Sequence, residues 1–258
     1  GGGAAVGVVD DDLRAAYEVD WTGRYQGPCN AVVRPNSVEE VAAVIRICAV
    51  YDVTLVPQAG NTGLVGGSVP RPARSGARSA IVMSLTRLTR LGRVDTAAMQ
   101  VTAEAGVTLT TWRESAHNAG LDTPVDFAAR DTATIGGAIA TNAGGSRVLR
   151  FGTMRRQVVG IEAVTAKGAI VGSLDGLPKE TAGLHWPSLL AGSEGTLAVI
   201  TAARLRLVPW FQHTATALVA VKSIESGIRL LAALRQSVTS LDAVEVIAPA
   251  AMRLVSDH

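Results

Sequence analysis

The sequence predicts an α+β fold. Two features carry that expectation: strand-like segments cluster between single helices instead of alternating with them, and three glycine-rich stretches each sit beside a strand. The composition, 48% hydrophobic and 18% charged over 258 residues, can bury a core of one large domain or two small ones. A net charge of +2 from 24 basic and 22 acidic side chains, with 4% aromatics, argues against a nucleic-acid surface. No window reaches the roughly 18 apolar residues of a membrane span. The first residues lack the pattern of a signal peptide, so the cytoplasm is the default expectation; because residue 1 is Gly, a removed upstream segment stays open. Cys29 and Cys48 give neither a disulfide framework nor metal-ligand spacing.

In chain order, Ser37 caps a helix, Glu40 completes a capping box, and Val41, Val44, Ile45 and Cys48 share one face. That helix stops near Asp52 and a strand follows through Val56. "SAIVMSL" and "MQVTAEAG" read as strands, and "TLTTWRESAHNAG" as a helix closed by Gly120. After Trp210, "TATALVAV" and "LDAVEVI" read as strands, and "SIESGIRLLAALRQSV" and "PAAMRLVSDH" as helices. A boundary near residue 210 therefore separates a first domain, 1–210, from an incomplete unit, 211–258. Arg147, Arg150, Arg155 and Arg156 form the local basic cluster, read as a solvated loop with an anionic ligand as the sharper alternative.

Glycine in regular structure costs roughly 0.5–1 kcal/mol relative to Ala, so its clusters need a cause. They are "PQAGNTGLVGGSVP" (57–70), "TIGGAIATNAGGS" (134–146) and "AGSEGTLAVIT" (191–201). Uncovered backbone N–H groups form nests for anions. The Walker phosphate loop is absent, and the spacing of Gly60, Gly63, Gly66 and Gly67 is not the G-x-G-x-x-G dinucleotide fingerprint. What remains is a loop without Lys or Arg, offering N–H donors, the Asn61 amide and the Thr62 hydroxyl. Such a neutral site suits a buried pyrophosphate, each hydrogen bond to a charged oxygen contributing about 1.5–3 kcal/mol.

These stretches, with "AVVRPNSVEEV", resemble the flavin domain of the FAD-linked 2-hydroxyacid dehydrogenases of the vanillyl-alcohol oxidase superfamily, from about Trp21 to Pro209. The resemblance implies a PCMH-type FAD-binding domain over 1–210, with two α+β sub-domains dividing near 90–105, FAD between them, and the start of a cap domain after it. By position, Pro57, Gln58, Ala59, Gly60, Asn61, Thr62, Gly63, Gly67 and Ser68 would wrap the pyrophosphate. Thr134, Gly136, Gly137, Thr141, Asn142 and Gly144 would lie along the flavin and ribityl chain. Glu194, Gly195, Val199 and Ile200 would complete the pocket, and Pro124 and Asp126 would stand beside the isoalloxazine. Asn61 occupies the place of a flavin-attaching His in some relatives, which implies non-covalent FAD. The implied reaction is hydride transfer to flavin N5 from C2 of a D-2-hydroxy acid of the 2-hydroxyglutarate, lactate or glycolate type, with electrons passed to an unnamed acceptor; a homodimer is one candidate assembly, and the sequence leaves the oligomeric state open.

Departures from the family pattern are Ala59 and Ala128 for Gly, Lys167 for Asp, and Leu184 and His185 for Tyr and Asp. The family runs to nearly twice this length, and its catalytic His, substrate-binding cations and metal ligands lie in the second half. This chain is therefore expected to hold no metal, to leave its catalytic residues unknown, and, in the alternative reading, to be a flavin module that needs a separate C-terminal part. His117, His185, His213 and His258 show no ligand spacing. Ser193, Asp242 and His258 fall in hydrolase chain order, but a nucleophile elbow must lead into a helix, and "TLAVITAARLRLVP" continues as strand.

Overall fold

Two sheets built on different pairing rules organise the chain. The computed structural model describes residues 7–8, 14–71 and 80–256. In the first sheet β1 (Gly7–Val8), β2 (Ala31–Val33), β3 (Thr54–Gln58) and β4 (Ala80–Ser84) lie in the order β1-β2-β4-β3, with β2 and β3 parallel to β4. Parallel neighbours need a crossover, and between β2 and β3 the chain passes through α1 (Val38–Val50). The Ser37 side chain caps α1 by accepting the Glu40 N–H at 3.3 Å. Glu40 reaches back one residue further than the predicted box, accepting the Asn36 N–H at 2.8 Å. Val41, Ala42, Ile45 and Cys48 are buried and Val44 half-buried. Asp52, at φ 54°, turns the chain into β3, which runs past the expected Val56 because Pro57 and Gln58 stay in register with Met83 and Ser84.

The second sheet is antiparallel, in the order β5-β9-β7-β8, from β5 (Gln100–Glu104), β7 (Val158–Thr165), β8 (Ile170–Ser173) and β9 (Ala198–Arg206). The chain reaches its helices in the order α2 (Leu109–Asn118), α3 (Ile135–Ala140), α4 (Val148–Phe151), α5 (Met154–Gln157) and α6 (Trp186–Leu190). Trp112, Ile139, Met154 and Leu190 from these helices join Ile161 and Leu205 of the sheet in the largest core cluster. A separate cluster joins Val41 and Ile45 of α1 and Met83 of β4 to Val164 of β7 and Val199 of β9. Burying each such side chain contributes about 1.5–3 kcal/mol, so α1 fastens one sheet to the other. A short ribbon pairs β6 (Leu121–Asp122) with β10 (Val208–Pro209).

Beyond Pro209 the structure corrects the sequence reading. Both helices form, α7 (Ile224–Ser237) and α8 (Pro249–Ser256), but the strands expected at 214–221 and 241–247 do not. A strand exists only with a neighbour to complete its ladder, and these segments have none among the described residues. Their apolar side chains stay in solvent, Leu218 at 83% and Val246 at 75% exposure.

Candidate functional site

The first glycine loop leaves β3 and is held in shape by three side chains. The Gln58 amide, buried, donates to the Tyr17 carbonyl at 2.9 Å and the Ser68 carbonyl at 2.8 Å. Asn61, at φ 49°, donates from its amide to the Val19 carbonyl at 2.8 Å, and its oxygen accepts the Ser68 hydroxyl at 2.6 Å. One of the two Asn61 amide N–H groups is thus used within the protein. The backbone provides a longer row of donors. Among the described residues no main-chain N–H from Ala59 to Ser68 donates a hydrogen bond, and the Thr62 hydroxyl makes none. Consecutive unpaired N–H groups on a part-exposed turn are an anion receptor.

The glycines of this loop divide by cause. A Cβ on Gly60 would collide with the Thr132 carbonyl, and one on Gly66, at φ +72°, with the Tyr25 ring at 2.5 Å. Packing explains both. Gly63 has no protein atom within 4 Å of that position, and Gly67 has only a Glu194 carboxylate oxygen, at 3.2 Å. Neither has a left-handed φ, so the fold itself does not require glycine there. Gly137 is similar: its nearest atom is the Thr134 hydroxyl of its own helix cap, at 3.5 Å.

The second and third loops are bonded to each other. Buried Thr134 caps α3, accepting the Gly137 N–H at 3.4 Å, and Gly136 lies against Ala105, where a Cβ would meet the alanine methyl at 2.7 Å. Thr141 donates to the Gly137 carbonyl at 2.9 Å, and Asn142 accepts the Arg155 N–H at 2.9 Å. The N–H groups of Gly192 and Glu194 donate to Ile139 and Ala140 at 3.0 and 2.9 Å. Gly195 faces Pro57, whose Cγ lies 3.1 Å from where a Cβ would sit. Glu194 reaches toward Gly67, so the three loops converge. Asn61, Asn142 and Glu194 all adopt positive φ, one in each loop, and such strain concentrates at functional sites. The Ser193 hydroxyl is buried with no hydrogen-bond partner. The side chains of Val199 and Ile200 lie in the two different core clusters, leaving only their main chain for any ligand.

Pro124 is buried and Asp126 half-buried. The Asp126 carboxylate meets Arg113 at 3.2 Å and Arg130 at 2.9 Å, and its carbonyl accepts the Ser146 N–H at 3.0 Å. Gly145, at φ +84°, packs onto that carbonyl with no room for a Cβ, while a Cβ on Gly144 would meet Val148 Cγ2 at 2.9 Å. Arg147 departs from the solvated-loop reading. It is buried, pairs with Asp122 at 2.7 Å and Asp242 at 3.0 Å, and also donates to the Thr123 carbonyl. Burial would raise the Asp122 pKa, yet the Thr123 N–H, Arg147, His117 and Arg113 together hold it below its ordinary value. Sequence reading missed this pair because its members stand far apart in the chain.

The remaining candidates separate. His117 stacks on Trp210 at 4.2 Å and pairs with Asp122. His185 caps α6, accepting the Ser188 N–H at 3.3 Å, and His213 is exposed. Among the described residues no cluster of three potential metal ligands occurs. Ser193 leads into β9 and not a helix, Asp242 pairs with Arg147, and His258 lies outside the described residues. No hydrolase elbow is present at Ser193.

Parallel β-strands under a helix, an antiparallel sheet, and three glycine loops meeting between them define a flavin-type nucleotide domain without the Rossmann turn. A family model described as an FAD binding domain matches residues 29–173, more than half of the chain. The chain belongs to that FAD-binding family. It is 38% identical over 242 residues to D-2-hydroxyglutarate dehydrogenase of Xanthomonas citri pv. viticola, covering 94% of this chain and 50% of that one. It is 33% identical over 187 residues to D-2-hydroxyglutarate–pyruvate transhydrogenase of Saccharomyces cerevisiae, covering 72% and 36%. The chain thus spans half or less of these relatives' lengths. In fold it resembles the solved alkyldihydroxyacetonephosphate synthase, with a TM-score of 0.70 and 22% identity over 81% of this chain and 38% of that one.

Proposed function

We propose that this domain serves a flavoenzyme that oxidises a D-2-hydroxy acid to the 2-oxo acid, with FAD bound non-covalently at the three-loop junction. The single observation that carries the reading is the set of unpaired N–H groups from Ala59 to Ser68. Together with Gly63 and Gly67, whose missing side chains the fold does not explain, they fit a pyrophosphate that approaches the main chain closely. The buried, unpartnered Ser193 hydroxyl supplies a further hydrogen-bonding atom at the same junction. When bound, the flavin would take up the hydride from the substrate carbon. The protein's part is to bind and orient: Gln58, Asn61 and Ser68 fix the loop, Thr134 fixes the start of α3, and Arg113 and Arg130 hold Asp126 in place.

The carboxamide at position 61 lacks a nucleophile and is tied to Val19 and Ser68, which supports non-covalent attachment. The hydroxy acid is proposed from relatives named for D-2-hydroxyglutarate. The exposed apolar side chains at 214–247 favour a second reading, in which the domain binds flavin but turns over only with further protein laid on that segment. The test starts from purified protein reconstituted with FAD. Acid precipitation should release the flavin into the supernatant, and pelleted colour would exclude non-covalent binding. Anaerobic D-2-hydroxyglutarate, D-lactate or glycolate should bleach the flavin; stoichiometric FAD that none of them bleaches selects the second reading, and failure to bind FAD overturns both.

A further inference from the structure

Part of the basic cluster that Arg147 leaves behind lines a cavity of about 440 Å³. Its wall carries Arg155 and Arg156 from α5, Arg206 from the end of β9, and His185 from the cap of α6. It shares no residue with the glycine loops. Arg206 stands seven residues along β9 from Val199, about 23 Å at about 3.3 Å per residue. The side chains of Arg156 and Arg206 make no hydrogen bond or ion pair among the described residues. Arg155 uses its side chain on one backbone carbonyl, that of Ala191, at 2.6 Å. His185 Nδ1 accepts the Ser188 N–H, so a neutral ring carries its proton on Nε2 and donates there. One carboxylate, Glu180, also lines the cavity, leaving two positive charges uncompensated.

Guanidinium forks match carboxylate and phosphate oxygens two by two, and the volume falls within the range of small-molecule pockets. Val159 and Leu177 add an apolar wall. We infer that this cavity is a second ligand site, taking a small multivalent oxyanion with two or more carboxylate or phosphoryl groups. Arg156 and Arg206 grip the outer oxygens, and Arg155 and His185 Nε2 donate to the inner group. Filling the cavity also ties the 177–185 loop to α5.

The test titrates citrate and pyrophosphate separately into the 258-residue protein by calorimetry, at constant ionic strength and with FAD in excess to occupy the glycine loop. At least one probe should bind saturably; citrate alone assigns carboxylate chemistry and pyrophosphate alone phosphoryl chemistry. The double variant Arg156→Gln/Arg206→Gln should weaken that binding at least tenfold. Both side chains are unpartnered, so the melting temperature should not move. Saturable binding that survives in the double variant, or no saturable binding of either probe, overturns the proposal. If the double variant unfolds, Arg156→Lys, which keeps the charge and loses the fork, must still weaken binding for the proposal to stand.

Discussion

The first glycine loop and the second and third are built from the same residue types but treat their backbones differently. From Ala59 to Ser68 the main-chain donors are unpaired, and the loop is shaped by side chains from below. Between the second and third loops the main chains bind each other, Gly192 and Glu194 donating to Ile139 and Ala140. The difference separates receptor from scaffold. Glycine in the scaffold answers to packing, as at Gly136 and Gly145; at Gly63 and Gly67 nothing in the protein asks for it.

Breaking the scaffold should unfold the protein, whereas breaking the receptor should only empty it. The largest effect expected is for Arg147→Met, which takes from buried Asp122 the guanidinium that lies 2.7 Å away and should lower stability by about 3–5 kcal/mol, read by urea unfolding. Next, Gly63→Val should reduce FAD affinity at least tenfold while leaving the melting temperature unchanged. Gly60→Val should lose FAD and also melt earlier, since its Cβ meets Thr132; equal melting temperatures for the two would erase the distinction drawn between these glycines. Thr134→Ala removes the α3 cap and should destabilise by about 1 kcal/mol, measured in the same unfolding assay.

The smallest effect separates by pH. A carboxylate whose folded pKa is depressed adds stability that is present above its unfolded pKa and lost as the pH falls through its folded pKa. Asp122, held low by the Thr123 N–H and its cationic partners against the opposing effect of burial, should therefore stabilise the protein above about pH 4 and cease to do so on further acidification. In Asp122→Asn the stability difference from the parent should shrink below that pH. A difference independent of pH would show that the carboxylate's charge contributes nothing.

What could be read from the sequence was what is local. The capped α1, the strand that follows it and the three glycine loops follow from spacing alone, because caps, turns and periodicity act over a few residues. Two kinds of feature escaped. Arg147 read as a loop charge because its partners Asp122 and Asp242 lie 25 and 95 residues away in the chain. The expected strands after Trp210 have the right pattern, yet pattern specifies a strand only where a neighbour supplies the ladder. Within the candidate site, sequence placed Asn61 in the loop but could not show its brace to Val19.

The brace formed by Gln58, Asn61 and Ser68 has a consequence for time as well as shape. A loop already folded around its own side chains has little freedom left to lose when a ligand arrives. Capture should then proceed at the rate of encounter, without a slow ordering phase, and stripped protein should refill in one kinetic step. A cofactor held this way is retained by slow departure, and the empty cradle keeps its form between occupants.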